Sequence, residues 1–140
     1  MLIFAEKRKS VKKMKFRIPM YDFTVTLVEV EGKEDKEAVL SIMRGLKCPQ
    51  EYLDSSADYI ERGCYNGGDT FYNFDLKAVC VVFYGFRSER SRQNVYSHEK
   101  RHIEDRIMQH NNVDDVESAG MLAGFLGERF YEFRKLIDKG

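Results

Sequence analysis

Seven consecutive residues, Ala78-Val79-Cys80-Val81-Val82-Phe83-Tyr84, carry no charge and almost no polarity. A strand with one face in water alternates apolar and polar side chains. A run without that alternation reads as a strand buried on both faces, so the rest of the chain has to cover it twice. The strand-like pattern continues to Phe86, and Thr70 to Phe74 forms a similar run just before it. Asp75-Leu76-Lys77 between them reads as a hairpin turn.

The other elements follow from periodicity and punctuation. Phe16 to Glu31 reads as one strand: Phe23, Val25 and Leu27 alternate with Thr24, Thr26 and Val28, and Gly32 ends it. Lys33 to Leu46 reads as a helix with Ala38, Val39, Ile42 and Met43 on one side. Pro49 opens a short helix through Tyr52, Leu53 and Ile60 that stops at Gly63. Asn66-Gly67-Gly68-Asp69 reads as a turn or a mobile loop, and it lacks the pattern of a phosphate-binding loop. Gly85 to Arg92 is a polar connection, and Gln93 to about Gln109 a charged helix broken by Asn111-Asn112. Asp114 or Asp115 caps a last helix running to about Ile137, with Ala119, Leu122, Ala123, Leu126, Phe130 and Phe133 as its apolar stripe. The order strand, helix, short helix, hairpin, helix, helix predicts a small α+β domain with a short antiparallel or mixed sheet and a long C-terminal helix.

The chain of 140 residues has the length of one domain. Its formal net charge is zero, which argues against a dedicated nucleic-acid binder. The charge is uneven, because Lys7, Arg8, Lys9, Lys12, Lys13, Lys15 and Arg17 face one acid, Glu6, in the first stretch. Residues 1–14 are expected to be a basic tail and residues 15–140 the domain. Met1-Leu2-Ile3-Phe4-Ala5 is short for the apolar core of a secretion signal, and charge follows it rather than precedes it. No apolar run approaches the ~18 residues that span a bilayer, so no membrane segment is expected. Cys48, Cys64 and Cys80 are odd in number and contain no C-x-x-C, which suits free thiols and a cytoplasmic setting.

One short string carries chemistry. His98-Glu99-Lys100-Arg101-His102 is H-E-x-x-H. At 3.6 residues per turn the two histidines share a helix face and can grip one Zn²⁺, while Glu99 can act on a water beside the metal. On the helical wheel Glu99 lies toward Ile103 and Ile107, which would pack on the sheet and leave the histidines facing a groove at its edge. A catalytic zinc wants a third protein ligand. Glu117 is the first candidate, with Asp114, Asp115 and His110 behind it. Its reach is in tension with helical rise, which separates the start of the last helix from His102 by about 10 Å. The alternative is plain: two surface histidines on a helix laced with i,i+4 ion pairs.

The arrangement of a strand, the His98-Glu99-x-x-His102 helix and a second helix opening Val116-Glu117-Ser118-Ala119, with Ala123 and Phe125-Leu126 behind, resembles the zincin metallopeptidases. It is most similar to minimal members of the glutamate-ligand (gluzincin) type, including small phage and mobile-element proteins and the ImmA/IrrE-type repressor-cleaving peptidases. The resemblance spans roughly residues 78–127. It implies a zincin-like fold, a zinc held by His98, His102 and Glu117, Glu99 as general base, and a cleft bordered by the 78–84 strand. The function expected is hydrolysis of a polypeptide substrate by metal-activated water. The charged pair Lys100-Arg101 and the lack of an obvious oxyanion Tyr or His motivate a second expectation: a catalytically inactive domain of the same fold that binds a protein partner.

Overall fold

The computed structural model of the protein describes residues 10–139. The run from Phe16 to Glu31 is two strands rather than one, β1 (Lys12–Ile18) and β2 (Phe23–Glu29). Pro19 has no N–H to continue a ladder, and Asp22 takes a left-handed φ of 58°. The chain therefore reverses there, and the strands pair antiparallel from Lys12↔Glu29 to Ile18↔Phe23. The Asp22 N–H donates to the Ile18 carbonyl at 2.8 Å, and Arg17 Nε donates to the Asp22 carboxylate at 2.7 Å. β1 starts inside the stretch expected as a tail, so Lys12, Lys13 and Met14 are strand residues. The rest of that expected tail, residues 1–9, lies outside the described residues. Lys13, Lys15 and Arg17 are exposed on β1, while Met14 and Phe16 pack inward. Charge of this kind on an edge strand opposes pairing with a foreign sheet.

The apolar run is β4 (Ala78–Phe83), joined to β3 (Gly68–Asn73) by the hairpin turn. The strands lie in the order β1-β2-β4-β3. β2 and β4 are parallel and both outer pairings are antiparallel, so the sheet is mixed. The long connection from β2 to β3 carries a 3-10 turn (Lys33–Asp35), then α1 (Lys36–Gly45) and α2 (Gln50–Glu61). The last two elements are α3 (Glu89–His110) and α4 (Val116–Asp138). α3 begins four residues earlier than the periodicity predicts, because Ser88 accepts the Ser91 N–H and caps it. Asp115 caps α4 in the same way by accepting from the Ser118 N–H at 2.8 Å.

β4 is buried along its whole length, and its period of two divides the core. Cys80, Val82 and Tyr84 pack with Val39, Leu40 and Met43 of α1 and Leu53 and Ile60 of α2. Val79, Val81 and Phe83 pack with Tyr96, Ile103 and Ile107 of α3 and with Leu122, Leu126, Phe130 and Phe133 of α4. The result is an α+β domain with a helix pair on each face of the sheet. Phe83 anchors the second face, its ring 4.5 Å from that of Tyr96 and 6.1 Å from those of Phe130 and Phe133. Among the described residues no helix is long and apolar enough to cross a membrane.

One acid is caught in this packing. Glu29 ends β2, is 5% exposed, and has Tyr96 Oη 3.5 Å from its carboxylate. Burial, only partly offset by Arg92, raises its pKa from 4.5 to about 7. The folded state therefore holds a proton that the unfolded chain releases above pH 4.5. Below that value both states are protonated and there is no effect. As pH rises through the window from 4.5 to about 7, stability should fall, by up to about 3 kcal/mol. Denaturation midpoints measured across this range should show the decline in the wild type and a flatter profile in Glu29→Gln. Parallel profiles would contradict the account.

Candidate metal centre

α3 turns its apolar side to the sheet, and the motif follows. Ile103 and Ile107 are fully buried, Glu99 is 4% exposed, and His98 and His102 are open to solvent. The two imidazoles meet with Nε2 atoms 2.9 Å apart and rings nearly perpendicular. One ligand atom from each of His98, Glu99 and His102 lies within 4.8 Å of the others. Among the described residues this is the group of His, Cys, Asp and Glu side chains placed closely enough to hold a metal ion.

β3 supplies the opposing wall. Thr70 pairs in register with Val81, which faces α3, so Thr70 faces α3 as well. Its hydroxyl donates to Glu99 Oε1 at 2.9 Å. Gly68 makes this approach possible, because a Cβ there would come within 3.0 Å of Glu99 Cγ and Val95 Cγ1. Gly68 is thus a strand residue in contact with the helix, not part of a loop over the site. Together Gly68, Asp69, Thr70 and Tyr72 of β3 and His98, Glu99, His102 and Arg106 of α3 enclose a cleft of about 330 Å³.

Burial is the largest influence on Glu99 and pushes its carboxyl above the ordinary value. The Thr70 hydrogen bond and the two histidines pull the other way. A carboxyl moved upward in this sense suits proton transfer near neutrality better than an exposed one. The charged residues inside the motif stay out of the cleft. Lys100 pairs with Glu104 and lies against Gly127 of α4, and Arg101 pairs with Asp105 at 3.2 Å on the solvent side.

Glu117 is not brought to the histidines. It sits exposed in the first turn of α4 and does not belong to the group of close ligand atoms. The reason is the length of α3, which continues eight residues beyond His102 to His110. That adds about 12 Å of helical rise before the connection to α4 begins. The other candidates are also engaged elsewhere or remote. Asp115 is the α4 cap, Asp114 is exposed in the loop, and His110 stacks on Phe74 at 4.6 Å and meets Phe23 edge-on at 5.6 Å. Sequence reasoning missed Thr70, Tyr72 and Arg106. For Arg106 a signal was present, since it stands four residues after His102 on the same helical face. For Thr70 and Tyr72 the strand alternation marks a face, but nothing local says which helix that face meets.

Two imidazoles are donors that zinc accepts, with the Glu99 carboxyl beside them free to act as a base. Nitrogens ligating one tetrahedral zinc at 2.0–2.1 Å would be about 3.3 Å apart, so the observed pair needs only a few tenths of an ångström of opening. The chain matches no protein-family model, no curated protein and no solved structure. The resemblance to the zincins accordingly rests on the residues alone.

Gly68→Ala tests the close approach. It should cost about 1–3 kcal/mol, because Glu99 and Val95 must both give way. Gly120→Ala on exposed α4 meets nothing within 4 Å and should be neutral or stabilising by up to about 1 kcal/mol. Equal effects of the two changes on the denaturation midpoint would refute the crowding at Gly68.

Proposed function

We propose that the chain is a zinc-dependent peptide hydrolase centred on His98, Glu99 and His102. The observation that carries this reading is the imidazole pair, 2.9 Å between Nε2 atoms, with the buried Glu99 carboxyl beside it at the floor of an open cleft. Zinc held by the two imidazoles would supply Lewis-acid polarisation of a peptide carbonyl and activation of water. Glu99 would take a proton from the attacking water as its oxygen bonds to the carbonyl carbon. It would then deliver that proton to the amide nitrogen as the C–N bond breaks, leaving an amine and a carboxylic acid whose remaining proton passes to the amine or to solvent. Thr70 occupies one Glu99 oxygen and fixes the plane of the carboxyl, which leaves the other for the proton. β3 pairs with β4 alone among the described strands, so the cleft is bordered by an open sheet edge of the kind that accepts extended chains.

A second reading, a non-catalytic protein-interaction domain, is favoured by one observation. Only two histidines come together with Glu99 among the described residues, and a zinc peptidase ordinarily has three protein ligands beside its base.

Calorimetric titration of untagged full-length protein with zinc, followed by a peptide-hydrolysis assay, separates these readings. The hydrolase reading expects one zinc per chain, and His98→Ala or His102→Ala should weaken binding by at least about tenfold. Glu117→Ala should leave zinc affinity unchanged, since its effect is confined to the first turn of α4 and about 0.3–1 kcal/mol of stability. Glu99→Gln should retain zinc and lose about 10²–10⁴-fold in rate. No zinc uptake by the wild type, or full turnover by Glu99→Gln, would sink the hydrolase reading.

A further inference from the structure

Arg106 is the one arginine or lysine lining the cleft, and this chemistry leaves it unused. It follows His102 by one helical turn, and its guanidinium lies 5.5 Å over the Tyr72 ring. Its neighbours each have an acid at helical spacing, Glu104 for Lys100 and Asp105 for Arg101. Arg106 does not: the residues three and four positions away are Ile103, His102, Gln109 and His110. Among the described residues it makes no ion pair. The cleft thus holds a planar cation that pairs with neither of the acids lining it, Asp69 and Glu99, and the partner such a group fits best is a carboxylate or a phosphate held by two parallel hydrogen bonds.

A second recess of about 280 Å³ begins at the same place, sharing Thr70, Tyr72 and Arg106 with the first and lined beyond them by Cys48, Pro49, Tyr52 and Phe71. Because β3 is an edge strand, Phe71 and Tyr72 from its two faces both reach this recess. Tyr52 is 46% exposed and meets Phe71 edge-on at 5.4 Å, and with Pro49 these rings give one wall of the recess a surface able to take a large side chain. An anion site flanked by the side chains of Pro49, Tyr52 and Phe71 favours a carboxylate attached to a bulky apolar group over free phosphate.

We infer that the cleft binds the C-terminal end of a polypeptide, with its terminal carboxylate on Arg106 and a bulky apolar last side chain in the recess of Pro49, Tyr52 and Phe71. The distances agree with the histidine pair acting on the same chain. Four residues of helix rise about 6 Å, and an extended peptide covers about 3.3–3.6 Å per residue. A carboxylate on Arg106 therefore brings one of the last two peptide bonds to His98 and His102. What then happens to the bound chain rests on the hydrolase reading, whereas the binding does not.

The test is titration of the full chain, with chelator present, by an acetylated tripeptide ending in Phe, as free acid and as C-terminal amide. The free acid should bind at least about tenfold more tightly, the worth of a charge-assisted pair. Arg106→Gln should erase the difference, Arg106→Lys should retain part of it, and His98→Ala should leave it intact. Arg106 is exposed, so its variants should keep the wild-type circular dichroism. Equal binding of acid and amide, binding of neither, survival of the preference in Arg106→Gln, or tighter binding of inorganic phosphate than of the acid would each overturn the inference. A preference for the acid without hydrolysis on adding zinc removes the hydrolase reading and leaves this one standing. Hydrolysis of peptides with acid and amide treated alike does the reverse.

Discussion

The burial of β4 on both faces is the constraint from which the rest of this structure follows. Its six residues are all shielded from water, and side chains alternate between two separate cores. One face of such a strand cannot be left to solvent without exposing several aliphatic groups, each of which stabilises the fold by ~1.5–3 kcal/mol when buried. A helix pair is needed on each side. The parallel pairing of β2 with β4 adds to this, because a parallel connection has to leave the sheet and return. Here the excursion carries α1 and α2, which become the cover of one face. The remaining two helices, α3 and α4, cover the other.

The position of the metal centre is a consequence of how α3 settles on its face. Tyr96 packs on Phe83, and Ile103 and Ile107 lie against the sheet one and two turns beyond the motif's first half. With those contacts made, the helix has no rotational freedom left. Glu99 is turned inward and the histidines toward the sheet edge. β3 lies at that edge because the strand order ends in it. Gly68 lets the strand come close enough for Thr70 to reach Glu99. A buried carboxyl is costly unless it is hydrogen-bonded, so this single hydroxyl both permits the burial and orients the group. The charges of Lys100 and Arg101 are neutralised along α3 itself and do not reach the cleft.

Several expectations from the sequence differ from the geometry, two of them instructively. The strand-like run from Phe16 to Glu31 has β-branched and aromatic residues throughout, but Pro19 ends the ladder and Asp22 turns the chain, so one strand became a hairpin. The proline was visible, and the density of strand-forming residues around it outweighed it in the reading. Glu117 is the third ligand that the resemblance implies. The continuation of α3 to His110 carries the chain away from the site before α4 begins, and the acid at that start is left beside its own helix N-terminus.

What the sequence determined alone is whatever depends on local period. The double burial of the 78–84 strand, the amphipathic last helix, the hairpin turn at Asp75-Leu76-Lys77 and the shared face of His98 and His102 all follow from spacing within a few residues. Spacing also fixes that Glu99 looks toward Ile103 and Ile107. The tertiary structure alone decided what stands opposite that face. Thr70 is 29 residues from Glu99 in the chain, and its role depends on strand order, on the register of β3 with β4 and on a glycine tolerating close approach. The same holds for the lack of an ion pair at Arg106 among the described residues and for the recess it shares with Tyr52 and Phe71. A helix carries its own periodicity wherever it goes, but the identity of its neighbours is a property of how the elements stack, and no local pattern encodes it.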